Sequence, residues 1–196
     1  GVVEQMLGNY EASNEYFEKA YIYNQDFRKN FKYDLVGSLT NPMLKPYKAE
    51  DHEVVLLHFY KAINFIQLKD FDAALVEVRR VNISLNELND KYEDKKNRYK
   101  EDAFAHLLMG IIYEAKNDVN NAFIAYRNAL NVYQGVYSEE FHVTVPEQLK
   151  KDVLRTAAQN GFRTELTQYE AEFGMKYSNQ TKAEGELVFF WLNGLS

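Results

Sequence analysis

The sequence predicts an all-α fold: helical hairpins stacked in series, an extra helical pair after them, and a β-prone run that leaves room for a short terminal strand. Three observations carry this. Apolar residues recur near every 3.6 positions over long stretches, the spacing of an amphipathic helix. The chain aligns with itself when slid by 48 residues. Its 196 residues are 46% hydrophobic and 27% charged with only 3 Pro and 9 Gly, the balance of a chain that folds around its own core.

Residues 1–24 hold a partial copy of the repeated pattern, with Gly8, Ala12, Phe17 and Ala20 at the recurring small and bulky places. Only Gly1 to Leu7 precede it, and Gly1 stands where a Met would open a reading frame, so the chain reads as a piece of a longer protein. Residues 25–50 begin as a helix end and continue as an irregular loop marked by Gly37, Pro42 and Pro46. Residues 51–68 form a helix on Val54, Val55, Leu57, His58, Ala62, Phe65 and Ile66, opened by Glu50, Asp51 and Glu53, with Asp51 as the capping residue. The breaks at Leu68-Lys69-Asp70 and Lys116-Asn117-Asp118 place an Asp before the next apolar stretch, where its carboxylate accepts first-turn N–H groups.

In the 48-residue register, His58, Phe59, Ala62, Phe65, Asp70, Ala74, Val78 and Val81 fall on His106, Leu107, Gly110, Tyr113, Asp118, Ala122, Tyr126 and Ala129. The repeats therefore occupy 51–88 and 103–136, with residues 89–102 inserted between them. The seam Ala74, Val78, Val81, Leu85, Leu88, Tyr92 steps by four and three, so the insertion continues the helix and makes a protruding helical hairpin about 10 Å longer than its neighbours. Residues 137–183 make the further helical pair. Pro146 stands at the first position of one helix, Asn160-Gly161 closes it, and Arg163 to Phe173 form the next, ending at Gly174. In the tail 184–196, Leu187-Val188-Phe189-Phe190-Trp191-Leu192 is the β-prone run.

The spacing Gly110, Tyr113, Ala122, Tyr126, Ala129 resembles the tetratricopeptide repeat, in which small residues let two helices cross closely and aromatics fill the space between. The resemblance covers residues 1–24, 55–88 and 103–136. It implies a right-handed superhelix whose first helices line a concave surface. On that surface it would expose Leu56, Phe59, Ile63, Ile66, Phe104, Leu107 and Ile111 as a partner-binding strip. The strip lacks the Lys, Arg and Asn that grip an acidic chaperone C-terminus, so that partner class is excluded. Something apolar is expected to cover it. That cover is either an external amphipathic helix or extended peptide, or the chain's own segment 27–47 or 187–192.

Pro46 to Glu53 running into Leu57-His58-Phe59-Tyr60-Lys61-Ala62, then Ala73 to Arg80, and Gly185-Glu186-Leu187-Val188 are similar to an uncharacterised family of bacterial cell-envelope tetratricopeptide proteins, often lipoproteins. This implies a periplasmic or envelope location, a lipid anchor on the full-length protein and a small β-rich continuation. It implies no catalytic residue.

Several chemistries lack support. With 23 basic against 29 acidic residues the net charge is −6, unfavourable for a phosphate-gripping surface, so nucleic acid is not an expected partner. Zero Cys excludes a disulfide framework and a cysteine nucleophile. No run approaches the ~20 apolar residues of a membrane span. No glycine-rich phosphate loop occurs, and His52, His58, His106 and His142 lack zinc-ligand spacing, so neither cofactor nor metal is expected. His58 and His106 read instead as buried, hydrogen-bonded core residues. The mixed charges of Lys91 to Lys100 read as a solvated tip. The reading is a protein-binding scaffold. A hydrolase or transferase with a site near Glu50, His52 and His58 is the alternative, and a small apolar ligand in the groove is a third.

Overall fold

The computed structural model describes residues 1–29, 49–91, 101–178 and 187–190. Among these every regular element is helical. They are α1 (Val2–Met6), α2 (Tyr10–Lys29), α3 (Asp51–Gln67), α4 (Phe71–Lys91), α5 (Ala103–Ala115), α6 (Val119–Val132), a π-turn (Tyr133–Tyr137), α7 (Ser138–Phe141), α8 (Glu147–Gln159) and α9 (Arg163–Phe173). Most of the expected 25–50 loop, residues 92–100 of the insertion, and Trp191 and Leu192 lie outside the described residues.

Four hairpins, α1–α2, α3–α4, α5–α6 and α8–α9, turn through the same three-residue connection. Its middle residue is left-handed: Gly8 (φ 81°), Lys69 (59°), Asn117 (59°) and Gly161 (73°). That residue's amide reaches back to the second-last helical carbonyl, and the following amide reaches the third-last, as Lys69 to Ile66 (3.0 Å) and Asp70 to Phe65 (2.9 Å) show. Otherwise orphaned carbonyls are satisfied this way. In the two repeats an Asp follows and starts the next helix, with Asp70 accepting from the Ala73 amide and Asp118 from the Asn121 amide, both at 3.1 Å. The C-terminal pair shares this joint without the small-and-aromatic signature of the repeats.

Each helix packs chiefly on the helix before or after it, except that α6 passes over α7 to pack on α8. The hairpins therefore form a row. A first core cluster joins α3, α4 and α5 through Ala62, Leu75, Val78, Val81, Leu108 and Ile112. A second joins α6, α8 and α9 through Phe123, Tyr126, Leu130, Leu149, Val153 and Tyr169. Inside α5–α6 the crossing is closest at Gly110, where an added Cβ would lie 2.3 Å from the Tyr126 ring. The equivalent crossing in α3–α4 has Ala62 opposite Val78, both fully buried, so the larger small residue goes with the smaller large one. In the 48-residue register the end of α6 falls at Ser84, whereas α4 runs to Lys91 with Leu85 and Leu88 still buried, as the continuing seam predicts.

Three expectations need correction. Residues 187–190 have no regular structure and so form no strand. A strand needs a ladder partner, and among the described residues there is none, so Phe190 packs on helices instead. Glu50, not Asp51, is the N-cap of α3, and its amide donates to the Glu53 carboxylate at 2.8 Å. Pro146 is likewise the N-cap of α8, with extended backbone (ψ 137°), because the helix begins one residue later at Glu147. Tyr133–Tyr137 and α7 form a bent continuation of α6 that periodicity alone does not show. Its kink lies at Gly135 (ψ −111°), and the Tyr137 hydroxyl donates to Asp102 at 2.8 Å.

Candidate functional site

The seven residues expected along the concave strip do not form one bare surface. Leu56 and Phe104 are 46% and 37% exposed, and Phe59, Ile66, Leu107 and Ile111 are half-buried, while Ile63 is buried at 8%. Ile63 is therefore a correction to the strip. Phe59 and Ile66 pack against the first core cluster, whereas Leu107 and Ile111 pack against the second. Stacking of successive hairpins accounts for the difference, because each added helix covers part of the face that a lone hairpin would expose. What stays open centres on Leu56, Phe59 and Phe104. The rings of Phe59 and Phe104 meet at 5.8 Å, which joins the α3–α4 hairpin to α5 across the outer side of the strip.

A second constellation, on the other side of α3, was not singled out by sequence. His58, Lys61 and Asn64 of α3 are all buried, as is Glu77 of α4. Glu77 sits at the centre. One carboxylate oxygen lies 2.8 Å from His58 Nδ1, and the other accepts from Lys61 Nζ (2.9 Å) and Arg80 Nη1 (3.1 Å). Lys61 also pairs with Glu18 of α2, and the Arg80 guanidinium lies 5.6 Å from the centre of the Tyr21 ring. Tyr21 in turn meets His58 edge-on at 5.2 Å. Farther along α3, Asn64 donates to Ser13 Oγ (2.8 Å) and Asn14 Oδ1 (2.9 Å) of α2. The polar groups thus tie α2, α3 and α4 together.

Burial by itself would push the Glu77 carboxyl up. Hydrogen bonds from His58 and Lys61, with the charges of Lys61 and Arg80, outweigh it and hold Glu77 below its ordinary value. Beside this cluster lies a cleft of about 50 Å³ lined by Tyr21, Asp51, His58, Arg80, Ser84 and Glu87 among others. That admits water and is small beside the several hundred Å³ of small-molecule pockets. Glu50 and His52 are exposed at the start of α3 and do not line it. The residues grouped for a hydrolase or transferase are therefore not brought together: Glu50 joins the cap with Glu53, and His58 is held by Glu77.

His106 occupies the same repeat position as His58 and is also buried, 3.1 Å from Glu101 through Nε2. The rest of the polar cluster does not repeat. In the 48-residue register Lys61, Asn64 and Glu77 become Met109, Ile112 and Ala125. That concerted exchange of three polar residues for three apolar ones is the sequence signal that could have found the cluster.

Between α5–α6 and α8, Tyr126 donates to Glu114 (2.6 Å), and Glu114 pairs in two-pronged fashion with Arg155, which also reaches Asp152 (2.7 Å). This links the last repeat to the C-terminal pair. Among the described residues no group of three or more His, Cys, Asp or Glu is placed to hold a metal ion, and no helix is long and apolar enough to cross a membrane. In comparisons with known proteins, no family model, no curated protein and no solved structure matches the chain.

Proposed function

We propose that this protein is an interaction scaffold built as a tetratricopeptide-like right-handed superhelix, binding a peptide segment of a partner protein on the apolar face around Leu56, Phe59 and Phe104. The supporting observation is the ring contact between Phe59 and Phe104 at 5.8 Å, which bridges two hairpins while leaving Leu56 and Phe104 46% and 37% exposed. Large apolar side chains fixed on rigid helices are suited to take spaced apolar anchors of a partner. A place in the bacterial cell envelope belongs to the same proposal and rests on the family resemblance of residues 46–194.

Panning a random-peptide display library against the purified chain tests the reading. Enriched peptides should be rich in large apolar residues and should bind Phe104→Glu at least about tenfold more weakly. The variant's helix content and melting should match the parent. Peptides that bind both proteins equally, or a library that yields no enrichment, would remove the proposal.

A further inference from the structure

The buried polar side chains of this protein are gathered in one part of the row. Among the described residues all of them except His106, Asp152 and Thr156 lie in the α1–α2 and α3–α4 hairpins. The apolar core stops in the same region. Residues of α3, α4 and α5 make the first core cluster and residues of α6, α8 and α9 the second, and neither includes a residue of α1 or α2. What joins α2 to α3 is instead Asn64 with Ser13 and Asn14, Lys61 with Glu18, and two ring contacts, Phe17 stacked on Tyr60 at 5.7 Å and Tyr21 edge-on to His58 at 5.2 Å.

The next boundary in the row gives the contrast. Counted from the left-handed joint residues Gly8, Lys69 and Asn117, Ser13 and Asn14 match Ala74 and Leu75, and Asn64 matches Ile112. Ala74, Leu75 and Ile112 all belong to the first core cluster. Parting that boundary bares apolar surface to water, at a cost that grows with its area. Parting α2 from α3 mainly exchanges hydrogen bonds within the protein for hydrogen bonds to water, whose net cost is small. It also wets Asn14 Nδ2, Asn64 Oδ1 and both polar atoms of the Gln5 side chain, which are buried in the docked state with no hydrogen-bond partner among the described residues.

We propose that the α2–α3 boundary is a polar latch, which releases the α1–α2 hairpin as a unit while α3 to α9 stay packed. A place at the end of the row does not by itself produce this behaviour, because α8 and α9 are joined to α6 through the apolar second cluster, Leu149 and Val153 with Phe123 and Leu130. Release uncovers Lys61 and Asn64 of α3, groups that water accepts readily, so the opened array presents no new apolar core and re-docking is reversible.

The chain contains no Cys, so a single introduced thiol reports opening. Ser13→Cys and Asn24→Cys place it at two buried points of α2, and Val153→Cys at a buried point of α8. In native buffer a thiol reagent should modify the first two at rates within about threefold of each other, and the third at least about a hundredfold more slowly. Adding Asn14→Leu and Asn64→Ile, the residues of the next boundary, to Ser13→Cys should slow its modification at least about tenfold. Modification of Val153→Cys as fast as that of Ser13→Cys would reduce the latch to fraying of an end and overturn the proposal. Rates for Ser13→Cys and Asn24→Cys that differ more than about tenfold would overturn release as a unit, and no slowing by the apolar pair would overturn the role of the polar boundary.

Discussion

At Gly110 the absence of a side chain makes room for the Tyr126 ring, and the neighbouring repeat meets the same need with Ala62 and Val78. Gly110→Ala would put a Cβ 2.3 Å from a ring that is itself 1% exposed, so the ring must shift. The expected cost is about 1–3 kcal/mol, read as a lower urea midpoint. Combining Gly110→Ala with Tyr126→Val recreates the pairing of the earlier repeat. The double variant should lose less than the sum of its parts, and strict additivity would show that the two sites are uncoupled. Glu77 supplies a second test at this scale. Its carboxyl titrates below its ordinary value in the folded protein, so its contribution is present above the unfolded pKa near 4.5 and is lost as pH falls through the lower folded value. Glu77→Gln should therefore be less stable than the parent at neutral pH and show a shallower loss of urea midpoint on acidification below pH 4.5. Parallel pH curves would contradict the assignment. The close approach at Gly110 was legible in the sequence because small and aromatic residues at fixed spacing have few other uses. Glu77 was not, because an acidic residue on an amphipathic helix is ordinarily solvated, and only the helix packed against it shows otherwise.

Helices are the scale at which sequence reasoning succeeded most fully. The end of α3 and the bounds of α5, α6 and α9 follow from apolar period and from the breaks at Asp and Gly, and the overrun of α4 follows from its seam. The errors have identifiable causes. Two helix starts moved by one residue because Glu50 and Pro146 can stand just outside a helix as well as just inside it. Ile63 looked outward because helical period alone knows only its own hairpin, and burial depends on everything packed around that hairpin. The terminal run was given a strand because β-propensity reports what a pleated surface would favour, not whether such a surface exists. The polar cluster offers the sharpest test of how elements join. Glu77→Ala alone leaves Lys61 buried beside an absent partner and should cost about 3–5 kcal/mol. Lys61→Met with Glu77→Ala, the residues found at the matching places of the next repeat, should recover a large part of that loss in chemical denaturation. No recovery would mean that Glu18, His58 and Arg80 depend on the cluster as heavily as Lys61 does.

As a whole, the molecule is a row in which every hairpin leans mainly on the next. Stability in such an array is a sum of units and of the interfaces between them, so the middle is better supported than the ends. In α1, Val3 and Met6 are 68% and 79% exposed, and Leu7 just after it is 68% exposed. Amide hydrogen exchange should accordingly be fastest in α1 and slowest in α3 to α6, and equal protection of α1 and α5 would argue for one all-or-none unit. The likeness of the α3–α4 and α5–α6 hairpins was readable from the 48-residue register. The open part of the apolar face was not, because exposure is a property of the assembled row.

The shared three-residue joint has a consequence for how that row comes together. A bend that is alike in all four places instructs the chain to double back but does not say which pair should lie beside which. Sequence order along the row must be proofread by the contacts that differ, Lys61 with Glu18 at one boundary and Arg155 with Glu114 at another. Hairpin formation is thus generic, and docking is the step at which a misassembled chain would be rejected.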